Sequence, residues 1–230
     1  FVWGLLSRIF CRASKVSISM ETVDRIEQNK KVYDSIAPFF ASTRAFLWSD
    51  MAPFADDLLP DSVLLDVGCG NGRVYQIAQE KQVRYIGVDQ SIELLRIGAK
   101  SAGVSVCESG EMIIPPFPAE PIFVLADMRA LPIADHSVDT VWCIAALQHL
   151  PNEADRLSAL HESHRVLKKG GKLLLMNWNL YSRHAARRHP ECAPGDFMIP
   201  WKHHSDGHVV GERYYHGFTE EELLRLLEAS

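Results

Sequence analysis

The run Val63-Leu64-Leu65-Asp66-Val67-Gly68-Cys69-Gly70-Asn71-Gly72 decides the fold. It opens as a short apolar stretch of Val and Leu, the composition of a strand buried on both faces of a parallel sheet. It closes on three alternating glycines, the residue used where a chain turns sharply or must let a ligand approach its backbone. Arg73 to Glu80 then reads as a helix. Strand, glycine turn and helix together put the turn at the carboxyl end of a strand, where open α/β sheets bind ligands. A dinucleotide fingerprint G-x-G-x-x-G is not met, because its last glycine would fall on Arg73 in one register and on Tyr75 in the next. What stands instead is Asp-x-Gly-x-Gly-x-Gly. The next two apolar runs, Val83 to Val88 and Ile122 to Ala126, are followed directly by Asp89 and Asp127. With Asp66 they make three acids at or near strand ends, a pattern that packing alone does not favour, since a buried unpaired carboxylate is costly.

Outward from this unit the chain alternates. A helix is expected from Ser91 to Ala102 with Ser91 as N-cap, a strand at Val138 to Cys143, a helix from Asn152 to Lys168 stopped by Gly170-Gly171, and a strand at Lys172 to Trp178. Alternation of this kind implies right-handed crossovers and a doubly wound, Rossmann-like, mainly parallel sheet. The segment between Gly103 and Glu120 is too rich in proline for a helix and rather apolar for a free loop. Upstream, Glu21 to Ile36 is expected to be helical, ended by Pro38. Four regions result: a basic apolar extension (1–19), a helical cap (20–60), a ligand-binding core (61–180), and a polar segment with a terminal helix from Thr219 to Ala229, Thr219 capping it and Glu222 completing a capping box (181–230).

Composition bounds the function. The 230 residues suffice for one well-buried α/β domain with appendages, and no run is long enough to span a membrane. A formal charge of −5 argues against general coating of nucleic acid, though not against a local basic site. The five cysteines (Cys11, Cys69, Cys107, Cys143, Cys192) are odd in number and never spaced C-x-x-C, which fits reduced thiols and a cytoplasmic location. Residues 1–19 carry Arg8, Arg12 and Lys15 with no acid, the composition of a targeting or interfacial segment, or else of an extension preceding Met20. His203, His204, His208 and Cys192 match no ordinary zinc-finger spacing, and no metal is expected.

The acid-and-glycine turn resembles motif I of the class I S-adenosylmethionine-dependent methyltransferases. From about Val32 onward the chain is similar to one branch of them, the tRNA wobble-uridine carboxymethyl methyltransferases, related to the methyltransferase domain fused to an AlkB-like oxygenase in some animals. The likeness is carried by Tyr33-Asp34-x-Ile36-Ala37-Pro38-x-Phe40-x-x-Thr43-Arg44, Ala126-Asp127-x-x-x-Leu131-Pro132, Ile144-Ala145-x-x-Gln148-His149-Leu150 and Glu162-x-x-Arg165-Val166-Leu167-Lys168-x-Gly170-Gly171. Two tail pieces are more specific: Gly195-Asp196-x-x-Ile199-Pro200-Trp201 and Arg213-Tyr214-Tyr215-His216-x-Phe218. Gln148 departs from the family, which usually has a first His of a His-His-Leu triplet there.

The resemblance implies a class I fold, whose last two strands this sequence does not represent, with S-adenosylmethionine as cofactor and a carboxymethyl group on a tRNA wobble uridine as acceptor. It implies cofactor contacts by Asp66, Gly68, Gly70, Gly72, Asp89, Gln90, Asp127, Met128 and Ala145. Asp66 either holds the methionine ammonium or fixes the glycine turn. Arg44 is the implied cation for the acceptor carboxylate, and His149 either faces the transfer site or is a satisfied structural histidine. Arg183, Arg187, Arg188, Trp201, Arg213 and Tyr215 are the implied substrate contacts. In the order expected of the fold, strand Ile122 to Ala126 lies at the sheet edge. Family members work with a small zinc-binding activator protein there, so either such a partner or the chain's own 104–120 segment is expected to cover that edge.

Overall fold

The structure, a computed structural model, describes residues 20–43, 51–110, 120–203 and 206–230. Its frame is a six-stranded parallel sheet. The first strand, β1 (Val63–Val67), is buried along its whole length. Its side chains divide by the two-residue period of a strand. Val63, Leu65 and Val67 pack on one face, and Leu64 packs on the other with Tyr85, Phe123 and Trp142. Full burial of each such aliphatic side chain contributes about 1.5–3 kcal/mol, which is why two-sided cover follows from the composition of this run.

β1 pairs with β2 (Arg84–Asp89) on one side and with β5 (Val138–Ile144) on the other. Helices α2 (Ala52–Ala55), α3 (Tyr75–Glu80) and α4 (Ile92–Ala102) cover the Leu64 face, and α5 (Glu153–Val166) covers the opposite face. The sheet therefore reverses direction of growth at β1, and the glycine turn sits at that switch point.

Three expectations are corrected. Helix α1 (Met20–Ser42) runs through Pro38 instead of ending there. Proline removes one helical hydrogen bond, but Ile36 and Ala37 are fully buried around it and hold the helix on course. Strand β4 (Ile122–Leu125) is not the sheet edge. A two-residue strand, β3 (Val106–Cys107), lies outside it in parallel pairing with Phe123 and Val124. Gly103, at φ 77°, ends α4, and Val104 N–H bonds back to Ala99 C=O, which turns the chain to run beside β4.

The third correction concerns Gly170-Gly171, which interrupts a strand and not a helix. β6 (Leu167–Met176) begins directly after α5, and its pairing with β5 slips between Leu167 and Lys172. Gly170 takes φ 80°, and a Cβ on Gly171 would meet Leu167 and the Lys168 carbonyl at 2.9 Å, so the glycines form a bulge.

The polar segment after Trp178 carries elements of its own. It holds a short helix α6 (Arg183–Arg188) and an antiparallel sheet of β7 (Glu191–Ala193), β8 (Asp196–Lys202) and β9 (Val209–His216). Helix α7 (Glu220–Glu228) closes the described chain. Thr219 caps it as expected, accepting from Glu222 N–H, while the Glu222 carboxylate serves His216 and Arg156.

α1 is bound to this second sheet by an unusual device. The buried Asn29 side chain accepts from Tyr214 N–H at 2.7 Å and donates to Tyr214 C=O at 2.9 Å, pairing with β9 as a further strand would. Arg25 adds an ion pair to Asp196 on β8. At its other end Asp34 accepts from Ser91 Oγ at 2.6 Å, tying α1 to the start of α4. α1 thus bridges the central sheet and the small sheet, and the space it roofs is the principal cavity. Among the described residues no helix is long and apolar enough to cross a membrane.

Candidate active site

The cavity lies over the carboxyl ends of β1, β2 and β5. Its floor is the glycine turn. Gly68 and Cys69 N–H both bond to Val88 C=O, and Gly70 N–H donates to Asp89 at 2.8 Å. The other Asp89 oxygen accepts from Ser91 N–H at 2.8 Å, so one carboxylate joins the glycine turn to the head of α4. Burial pushes the Asp89 carboxyl above its usual range, while its backbone donors oppose that shift.

The glycines are not equivalent. Gly68 has φ 75°, and a Cβ there would stand 2.2 Å from the Ala146 Cβ; Gly72 is pressed against the Phe123 ring and does not line the cavity. Gly70 opens into the cavity, with Leu94 and Phe40 at 3.9 Å from a Cβ position. Opposite stands Ala145 with φ 54°, a left-handed conformation that a residue with a Cβ rarely adopts. Such backbone persists where the surroundings over-determine it, here through Ala145 N–H to Met176 C=O at 2.7 Å.

Asp66 lies beneath the turn, almost sealed, and does not line the cavity. It accepts from Tyr85 OH at 2.8 Å, and burial raises its pKa to about 7. The geometry puts its weight on the side of fixing the turn. Gln90 and Met128 line the cavity, whereas Asp127 faces an adjoining hollow and is gripped by Arg129 through both oxygens. Asp155 holds the same guanidinium at 2.8 Å.

The roof brings the tail residues to the same place. His149 lies between α1 and β9 with both ring nitrogens engaged: Nδ1 is 2.8 Å from Tyr214 C=O, and Nε2 is 3.0 Å from Tyr33 OH. A carbonyl can only accept, so Nδ1 carries the proton and Nε2 accepts from the tyrosine. Burial lowers the His149 pKa to about 4, leaving a neutral ring. Tyr33 OH also receives Arg213 Nη1 at 3.3 Å and lies 3.3 Å from Tyr215 OH.

Arg213 itself is 4% exposed and lines the cavity. Its guanidinium sits about 5 Å from the ring centres of Tyr33, Trp201 and Tyr215. Among the described residues no carboxylate pairs with it, and its Nε has no partner.

Trp201 supports Arg213 and packs near Phe40 without reaching the cavity, and Tyr215 lines it. Arg183, Arg187 and Arg188 are exposed on α6, away from the cavity lining. Arg44 lies outside the described residues. Asn29, Lys30, Tyr33, Phe40 and Trp178 were missed as site residues. For the four on α1 the signal was helical spacing, since 26, 29, 30, 33, 37 and 40 fall on one face of that helix; Trp178 had none.

Comparison with known proteins gives the same picture. Residues 65–175 match the family described as Methyltransferase domain. A tRNA (carboxymethyluridine(34)-5-O)-methyltransferase of Schizosaccharomyces pombe is 30% identical over 228 residues, 92% of this chain and 91% of that protein. The chain belongs to that methyltransferase family. Among solved structures, an S-adenosylmethionine-dependent methyltransferase of Methanosarcina mazei aligns with TM-score 0.59 and 25% identity, over 79% of this chain and 83% of the other. A putative methyltransferase solved with the activator Trm112 from Haloferax volcanii shares the fold at TM-score 0.55 and 18% identity, over 87% and 74%. The chain is accordingly an S-adenosylmethionine-dependent methyltransferase with the class I fold.

The cavity fits that cofactor. Gly68 and Gly70 form a cradle that side chains would obstruct, Asp89 keeps lone pairs for hydroxyls, and Met128, Val88 and Leu94 give apolar wall.

Proposed function

We propose that the chain esterifies the carboxymethyl group of a modified wobble uridine in tRNA, with Arg213 holding the acceptor carboxylate. The observation that carries this reading is a buried guanidinium facing the cavity that pairs with no carboxylate among the described residues. Such a charge is costly to bury alone and is the preferred partner of a carboxylate, which its planar fork can bind in two places.

Bound at the glycine turn, S-adenosylmethionine supplies a methyl group on a positively charged sulfur. A carboxylate is already ionised at neutral pH, so no general base is needed. Its oxygen forms the new O–CH3 bond as the S–CH3 bond breaks, sulfur keeps the electron pair, and no proton moves. The chain's part is to orient and to exclude water. His149 is a positioning residue in this reading: neutral and doubly bonded, it fixes the Tyr33 hydroxyl, which in turn steadies Arg213. Asp89 holds the ribose, and Gln90, Met128 and Ala145 border the nucleoside. Asp127, Arg183, Arg187 and Arg188 are outer contacts, the α6 arginines for tRNA phosphates.

For the sheet edge we favour self-cover. β3 already occupies the outer side of β4 at Phe123 and Val124. Transfer is then expected without an activator protein.

The test is to incubate the purified chain with tRNA bearing 5-carboxymethyluridine at the wobble position and labelled cofactor, then analyse nucleosides by mass. The expected product is a methyl ester that mild alkali returns to the acid. An alkali-stable methyl group, or one on another nucleoside, would refute the substrate. The cofactor half is tested separately: Asp89→Ala should weaken S-adenosylmethionine binding by about 1–3 kcal/mol in calorimetry, and unchanged affinity removes Asp89 from the site.

A further inference from the structure

A second cluster of ligand-type side chains lies at the tip of the β8–β9 hairpin, outside the cavity lining. His203, Asp206 and His208 offer one donor atom each, all within 4.8 Å of one another. Asp206 Oδ1 stands 2.7 Å from His208 Nδ1 and 3.6 Å from His203 Nδ1. The two imidazoles are stacked, with ring centres 5.1 Å apart and planes 15° from parallel.

The backbone fixes this arrangement. His203 N–H donates to His208 C=O at 2.8 Å, and Gly207 N–H donates to His203 C=O at 2.9 Å. Gly207, at φ 73°, makes the reversal that returns His208 toward His203. Phe39 of α1 packs its ring edge against His203 at 4.8 Å, which limits where that imidazole can swing.

We propose that His203, Asp206 and His208 form a binding site for a borderline divalent cation, Zn²⁺ in the first instance. Two imidazole nitrogens and one carboxylate oxygen suit zinc and the later transition metals, and not Mg²⁺ or Ca²⁺, which take oxygen. Metal–ligand bonds of about 2.0–2.1 Å in a tetrahedron put donors about 3.4 Å apart. The observed separations of 2.7 and 3.6 Å from the Asp206 oxygen bracket that value, and the two imidazole donors lie within 4.8 Å of each other. Three protein ligands leave a fourth position for water or a ligand oxygen. Histidine spacing alone did not suggest this site, because the third ligand is an aspartate contributed by the turn. Cys192, the thiol that the spacing would recruit, is instead bonded to Asp196 C=O.

The ion would fasten the tip of the hairpin whose second strand carries Arg213, Tyr214 and Tyr215. The site does not depend on the acceptor proposed above, and its test does not read methyl transfer.

The experiment uses the chain without a polyhistidine tag, stripped with chelator and titrated with ZnCl2 in a calorimeter. Wild type is expected to bind one equivalent in a saturable phase, and His203→Gln/His208→Gln to lose at least 10-fold in affinity with an unchanged unfolding midpoint. Co²⁺ in place of zinc should give visible d–d bands without a thiolate charge-transfer band. Equal binding by wild type and the double variant would overturn the proposal, since it would mean that other histidines take the metal. A thiolate band would overturn it too, by moving the site to a cysteine.

Discussion

Arg213→Met is expected to abolish most methyl transfer while leaving the protein as stable as before, or slightly more so. The two halves of this expectation have one cause. Arg213 is buried against Tyr33, Trp201 and Tyr215 with no carboxylate beside it among the described residues. Methionine keeps the apolar stem and its ring contacts and removes an uncompensated charge, a change that is commonly neutral or stabilising. If the guanidinium is held for the acceptor, truncation removes one partner of a desolvated ion pair, worth about 2–5 kcal/mol. That corresponds to a fall of about 30- to 4000-fold in kcat/KM. Arg213→Lys retains charge but loses the planar fork, and should fall between. Affinity for S-adenosylmethionine, measured by calorimetry, should not change in either variant. A structural arginine would behave in the opposite way. A lowered unfolding midpoint with kcat/KM within about threefold of wild type would assign Arg213 to the fold and leave the acceptor without a cation here.

Much of the core was legible because its causes are local. A buried strand, a glycine turn and a capped helix are each specified by adjacent residues, so Val63–Gly72 announced the cofactor side, and Ser91 and Thr219 cap their helices as read. The acceptor side was not legible in the same way. Its cavity wall joins α1, the turn at Gln148-His149 and β9, segments that meet through Asn29, Tyr33 and Tyr214 across separations of 65, 116 and 185 residues. No period in the sequence encodes that meeting. Motif resemblance named Arg213, Tyr215 and His149 but not the environment that separates a buried arginine from a solvated one. The short strand β3 was hidden for another reason: two residues are too few for alternation to register, and it is their parallel pairing with β4 that defines them.

The glycine turn supports a sharper expectation, because three of its neighbours in kind separate three effects. Gly103→Ala, with φ 77° and nothing within 4 Å of the added Cβ, isolates the left-handed backbone strain, about 1–2 kcal/mol. Gly70→Ala, with φ 56° and contacts no closer than 3.9 Å, has the same strain and no clash. Its methyl projects into the cavity, so its signature should be weakened S-adenosylmethionine binding at a stability matching Gly103→Ala. Gly68→Ala combines φ 75° with a Cβ placed 2.2 Å from the Ala146 Cβ, a contact that cannot exist without movement. Ala146 adjoins Ala145, whose own φ of 54° leaves little room to yield, and it leads into the 3-10 turn that carries Gln148 and His149. Strain of about 1–2 kcal/mol plus overpacking of about 1–3 kcal/mol gives an expected loss of about 2–5 kcal/mol for Gly68→Ala. Against a total of about 5–15 kcal/mol for a domain, that is enough to leave the protein marginal. Denaturant unfolding of the three variants beside cofactor calorimetry reads both quantities. The expected order of stability is wild type, then Gly103→Ala and Gly70→Ala together, then Gly68→Ala well below. Gly68→Ala unfolding at the same denaturant concentration as Gly103→Ala would mean that the turn and the Ala145-Ala146 segment do not meet as described, and the cradle assigned to the cofactor would lose its wall.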